Sequence, residues 1–289
     1  MIFLLVIFSI GTIVGVANII PGLSGGTMAV ITGIYERIIS IISSLFKNIK
    51  KWSVLKKDLL FLLPVILGAL TGILLLSNLI KYLLVAHYMP TLFCFLGLIA
   101  GSLPLIFRKA NHKGFNGKYL IGFLITLAFM LMLAYLSSQL QSIVPVEAFG
   151  MSLLEYLLIA VYGMIAAAVM VVPGISGSMI MMMLGVYNAV INAVSSLNIM
   201  VLIPFIIGAV FGIVLISKLI KLLLDRFYGY TYYVILGFVT GSIVFIFPGF
   251  SFNMDGLISF IAFAAGAAIS YKISALKPSD HSQTGITEN

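Results

Sequence analysis

Two short stretches hold the residues whose type and spacing could do chemistry. Pro21-Gly22-Leu23-Ser24-Gly25 and Pro173-Gly174-Ile175-Ser176-Gly177 repeat the pattern Pro-Gly-x-Ser-Gly at an offset of 152 positions, each inside apolar sequence. Proline withholds a backbone donor and biases the residue before it toward extended geometry, while glycine opens conformations closed to other residues. Each copy therefore reads as the end of one helix, a tight turn and the start of another. Ser24, Gly25, Gly26 and Thr27 at one start, and Ser176, Gly177 and Ser178 at the other, place hydroxyls and free backbone N–H groups at the positive end of a helix dipole. That arrangement suits an anion. A tight kink with no ligand would use the same residues.

The ionisable residues near these turns are few. Glu36 and Arg37 are the only adjacent acid and base beside an apolar segment, and ionisable groups at membrane depth are usually functional. They are candidates for coupling, with Glu36 as a proton acceptor; a helix-end pair at the interface is the alternative. Tyr35, and Tyr187 and Asn188 at the matching place of the second copy, lie near half-helix ends, where an interface-anchor role also fits. Asn18 stands just before the first turn and is placed to brace it by a hydrogen bond. His87, His112 and His281 are scattered and Cys94 lies alone in an apolar run, so no metal site, disulfide or cofactor is expected.

The elements that must position these residues follow from composition. With 62% apolar and 8% charged residues and a mean hydropathy of +1.23, the chain is a series of long apolar runs broken by short polar stretches. It reads as an all-α integral membrane protein. A net charge of +8 would suggest nucleic acid in a water-soluble chain, but the basic residues sit in the breaks and report orientation instead. Apolar segments fall at roughly 1–20, 24–46, 59–86, 91–107, 119–138, 153–172, 176–197, 200–224, 231–248 and 256–274, set by length against a ~30 Å hydrocarbon slab. The first resembles a signal-peptide core, yet it lacks a basic start and a small-x-small cleavage site. Its counterpart occurs in mid-chain, so it is expected to belong to the mature fold.

An internal duplication organises these segments. Gly33-Ile34-Tyr35 matches Gly185-Val186-Tyr187, and Pro64 to Lys81 matches Pro204 to Lys221 at an offset of 140. The drop from 152 to 140 puts twelve extra residues into a basic loop of the first half. Residues 1–145 and 146–276 are accordingly expected to be two repeats of about five apolar segments each in one membrane domain, followed by a polar tail at 277–289. Lys47, Lys50, Lys51, Lys56 and Lys57 follow the second segment, and Arg108, Lys109, Lys113 and Lys118 follow the fourth. The equivalent second-half loops lack Lys and Arg, whereas Lys218, Lys221 and Arg226 cluster at a connection whose first-half equivalent is poor in charge. Basic loops lie on the cytoplasmic side, so the two repeats are expected to be inverted, with the C-terminus cytoplasmic. Polar residues at three-to-four spacing after Glu36 suggest a helix lying along the interface from about residue 37. The stretch before it is then too short to span, and the Pro-Gly turns become re-entrant hairpins meeting near mid-depth. Gly68-x-x-x-Gly72, Gly97-x-x-x-Gly101, Gly208-x-x-x-Gly212 and Gly237-x-x-x-Gly241 are expected at close helix contacts.

Inverted repeats with broken helices at mid-depth are associated with secondary transporters. The run Ala17 to Thr27, then Gly33-Ile34-Tyr35-Glu36, then Pro173 to Ser178, resembles the bacterial polyprenyl-phosphate transporter family catalogued as domain of unknown function 368. The resemblance implies a translocase of the inner membrane that returns undecaprenyl phosphate, the lipid carrier of cell-wall precursors, to the cytoplasmic leaflet. For such a cargo the two helix starts, with Ser24, Gly25, Gly26, Thr27, Ser176, Gly177 and Ser178, are expected to replace the hydration of the phosphate, and Arg37 to attract it; membrane lipids and a homo-oligomer are the other expected partners. An anion channel or exchanger, and an intramembrane phosphatase acting on the pyrophosphate form of the lipid, are the other readings of the same turns.

Overall fold

The computed structural model describes residues 2–19, 24–48, 50–112, 114–139 and 152–275. Pro21, Gly22, the expected boundary between halves at 145/146 and the tail at 277–289 lie outside the described residues. Those described form helices and turns only: α1 (Ile2–Ile19), α2 (Gly25–Ile31), α3 (Tyr35–Asn48), α4 (Trp52–Ala86), α5 (Tyr88–Ala110), α6 (Tyr119–Gln139), α7 (Leu153–Val171), α8 (Gly177–Met183), α9 (Tyr187–Ser195), α10 (Ile199–Arg226), α11 (Tyr228–Ile246) and α12 (Met254–Ala275). Seven of them, α4 to α7 and α10 to α12, are long and apolar enough to cross a membrane. The protein is an all-helical, multi-pass membrane protein.

The apolar segments 24–46 and 176–197 each carry two helices, in keeping with the interfacial helix expected after Glu36, and the described residues form six helices on each side of the gap at 140–151. α2 turns into α3 through 119°, and α8 into α9 through 115°. The cause is local. Gly33 and Gly185 adopt left-handed backbone, φ 78° and 72°, which a glycine reaches at little cost. Gly33 N donates to Val30 O and Ile34 N to Ala29 O; Gly185 N donates to Met182 O and Val186 N to Met181 O. This double bond pattern is the Schellman turn, which satisfies the last carbonyls of a helix and stops it. The repeated Gly-x-Tyr signature is therefore a helix terminator, and it starts α3 at Tyr35, two residues earlier than the polar spacing suggests.

Helices pair through glycine. α1 packs on α4 and α7 on α10; α5 packs on α12 and α6 on α11; α5 and α11 meet at the centre. A Cβ on Gly68 or Gly72 would strike the Phe8 or Thr12 carbonyl of α1, and one on Gly208 or Gly212 the Ala160 or Met164 carbonyl of α7. Gly97 and Gly101 press on Phe263 and Ala267 of α12, and Gly237 and Gly241 on Phe123, Thr126 and Met130 of α6. All four G-x-x-x-G pairs thus sit where backbones touch. Between helices in lipid, where no hydrophobic drive operates, such dispersion contact is what holds them together.

Gly208→Val is expected to force α7 from α10 and to destabilise the protein by about 1–3 kcal/mol. Gly117→Ala, which meets nothing within 4 Å, should leave stability unchanged. Thermal unfolding of the two purified variants in one detergent checks the contrast.

Candidate functional site

The two turns touch. Gly174, with φ 92°, passes so close to α11 that a Cβ would lie 2.5 Å from the Phe238 carbonyl carbon. Its N–H donates to Thr27 Oγ1 at 2.8 Å, a buried bond from the second turn to the first short helix. Tyr35 is buried, and its hydroxyl donates to Val171 O at 3.3 Å, at the end of α7. The sequence allowed Tyr35 to be an interface anchor; here it is a strut between the halves. Gly26 lies against the same place, with a Cβ position 3.2 Å from Val171 O.

The start of α2 is capped from within the chain. Ser24 caps α2, its Oγ accepting from Gly26 N at 3.2 Å while its carbonyl takes Thr27 N at 3.0 Å. Asn18 Oδ1 accepts from Gly25 N at 3.1 Å. The N–H groups of Gly25, Gly26 and Thr27 therefore all have partners within the chain. Ser24 is 2% and Thr27 1% exposed.

The second turn differs. Ser176 makes no side-chain cap, and its Oγ lies 2.8 Å from Ser178 Oγ. Both serines are half-buried, and no described hydrogen bond uses the N–H of Gly177 or Ser178. Gly177 itself is tight, since a Cβ there would stand 2.8 Å from Ala166 O. An anion would meet unspent donors here and not at the first turn. Tyr187 is half-buried and Asn188 exposed on α9, and neither side chain forms a hydrogen bond among the described residues.

The ionisable pair separates to two environments. Glu36 Oε1 accepts from Lys109 Nζ at 3.2 Å and from Tyr228 OH at 3.2 Å, and it also accepts from Tyr232 OH. Lys109 Nζ lies 3.3 Å from Tyr232 OH. Partial burial pushes the Glu36 carboxyl up, but the Lys109 charge and the Tyr232, Lys109 and Tyr228 hydrogen bonds outweigh it and hold the group below its usual range. Arg37 is exposed, its guanidinium 4.1 Å from the centre of the buried Phe61 ring and 5.8 Å from that of Phe3. It is far along the helix surface from Glu36's partners, fixed in direction but open on one side.

Lys109, Tyr228 and Tyr232 did not stand out in the sequence, where Lys109 counts only as a loop charge. The available signal was the isolation of Glu36: a carboxylate beside apolar segments demands a cation. Which cation, 73 positions away, is a tertiary fact.

A protein-family profile described as VCA0040-like, undecaprenyl phosphate translocase-like, matches residues 14–255. A Staphylococcus aureus protein named polyprenyl-phosphate transporter is 32% identical over 268 residues, 90% of this chain and 92% of that one. A Vibrio cholerae protein of the same name is 31% identical over 254 residues, 82% of this chain and 76% of that one. No solved structure matches. A family profile matching most of the chain, with relatives above 30% identity over most of its length, leads to one conclusion: the chain belongs to the undecaprenyl phosphate translocase-like family.

Proposed function

We propose that this protein is a transporter, not an enzyme, that carries a polyprenyl phosphate, undecaprenyl phosphate first among them, between the leaflets of the bacterial inner membrane. The observation that carries the reading is the contact of two serine-bearing turns, Thr27 Oγ1 to Gly174 N, inside a chain whose relatives are named for this cargo. A phosphate monoester bears ~1.5–2 negative charges near neutrality, and exposing it to hydrocarbon is costly. Ser176, Gly177 and Ser178 offer donors in place of water, and the prenyl tail stays in lipid. The first turn, with Ser24, Gly25, Gly26 and Thr27, backs that site and shares its donors only if its own bonds rearrange. Arg37 supplies a cation at the entrance.

The halves, 1–145 and 146–276, act as inverted repeats in this reading. Exchanging the halves turns the α1–α4 contact into α7–α10 and the α5–α12 contact into α11–α6, while α5–α11 maps onto itself. With basic connections on the cytoplasmic side, the α3 hairpin enters from the cytoplasm and the α8 hairpin from outside, so rocking one half on the other exposes the turns alternately. A phosphatase would need an acid or base beside a nucleophile, and among the described residues no carboxylate or imidazole hydrogen-bonds Ser24, Ser176 or Ser178. An anion channel has no observation in its favour that the transporter lacks.

Two outcomes test this. Ser176→Ala with Ser178→Ala should weaken binding of a labelled polyprenyl phosphate by about tenfold or more, the size of hydrogen bonds to a charged group. Unchanged binding in reconstituted vesicles, with the protein folded, overturns the site. Thr27→Val keeps the shape of the side chain but strands the buried Gly174 N–H, costing about 1–3 kcal/mol and slowing leaflet exchange, whereas Thr27→Ser should restore it. Equal exchange rates for Thr27→Val and the parent protein would remove the turn-to-turn bond from the mechanism.

A further inference from the structure

The Glu36 cluster is built like an anion site that already holds an anion. Three donors from two helices, Lys109 Nζ at the end of α5 and the Tyr228 and Tyr232 hydroxyls at the start of α11, converge on a single carboxylate oxygen. A carboxylate oxygen and a phosphate oxygen present the same acceptor to such donors, and a cation flanked by hydroxyls serves either. The cluster is reachable: the Glu36 side chain is 40% exposed and that of Lys109 26%.

The occupant and its donors sit on different elements. Glu36 lies in the first turn of α3, just past the left-handed Gly33 that separates α2 from α3. Lys109, Tyr228 and Tyr232 belong to α5 and α11, which pack on each other.

The cluster exists on one side only. At the matching positions of the other half stand Asn188 for Glu36, Gly249 for Lys109 and Leu92 for Tyr232, with Tyr88 for Tyr228. The packing differs in the same sense. α3 packs on α10 of the other half and α2 on α5 and α7, whereas α8 and α9 pack chiefly on each other and on α7 and α10. Ser24 and Thr27 are buried, while Ser176 and Ser178 are half-open. The turn hydroxyls on the α3 side are therefore the more buried pair, and Glu36 stands on the helix of that side.

We propose that Lys109, Tyr228 and Tyr232 form a second binding site for a phosphate monoester, with Glu36 as its resident surrogate, and that a phosphate leaving the turns toward the α3 side displaces Glu36. Exchange of one anion for another keeps Lys109 paired throughout, so opening this side leaves no uncompensated charge. Cargo thereby opens its own exit, and the absence of cargo returns Glu36 and closes it. The proposal rests on the transporter reading of the turns, but its test needs no transport.

The test measures binding of inorganic phosphate and of geranyl phosphate, separately, to the purified full chain. Glu36→Gln removes the competing charge and should raise affinity for both by about fivefold or more, the lower end of a site-to-site coupling. Glu36→Gln with Lys109→Met should abolish the gain, and Tyr232→Phe in the Glu36→Gln background should reduce it. A purely structural ion pair predicts the opposite, since breaking it loosens the fold and raises no affinity. Unchanged or weaker binding in Glu36→Gln overturns the proposal, as does a gain that survives loss of Lys109. If Glu36→Gln does not fold, Glu36→Asp, whose shorter reach weakens the internal competitor, is read the same way. A gain for geranyl phosphate alone marks a lipid headgroup site, and an equal gain for both marks a site for any phosphate monoester or free phosphate. A positive result together with absent leaflet exchange would keep this site and sink the transporter reading; the reverse pattern would do the opposite.

Discussion

A peptide N–H without a helical partner has no water to turn to at membrane depth, and everything distinctive in this chain answers that constraint. Two helices are broken in the apolar interior, and each break frees donors that must be met. At the first break the chain meets them itself, through Asn18, Ser24 and its carbonyl. At the second, the Gly174 N–H is met by Thr27 from the opposite half, so one bond both satisfies a turn and joins the two halves. The remaining donors near Ser176 and Ser178 are what a charged guest could use.

Close packing makes this arrangement affordable in the geometric sense. Backbones approach one another at Gly68, Gly72, Gly208 and Gly212, where a single methyl group would collide with a carbonyl, and so bring α1 against α4 and α7 against α10. Gly174 combines both demands, a left-handed backbone and near contact with α11, and no other residue meets both. The broken helices are thus held by the same small residues that pair the intact ones.

Symmetry of the framework and asymmetry of the charges do different work. The pairing of the long helices is the same after the halves are exchanged, α1–α4 for α7–α10 and α5–α12 for α11–α6. Glu36 with Lys109, Tyr228 and Tyr232 exists once, and so does the tight seat of α3 on α10. In the proposed reading, a framework with two related openings and an electrostatic clasp on one of them would have a preferred resting state.

Local and periodic features were legible in the chain alone. Apolar run lengths announced the spans, Pro-Gly-x-Ser-Gly announced the breaks, and the four G-x-x-x-G pairs announced close contacts, because each depends on residues within a few turns of one another. Polar spacing after Glu36 places the second break near residue 37, and the backbone angle at Gly33 sets it two residues earlier, at Tyr35. Tertiary structure alone decided that Tyr35 is buried against α7, that the first turn spends its donors internally while the second does not, and that Glu36 finds Lys109. Hydrogen bonds between groups 73 to 196 positions apart depend on how helices are stacked, and hydrophobic pattern specifies which face is buried without specifying what it is buried against.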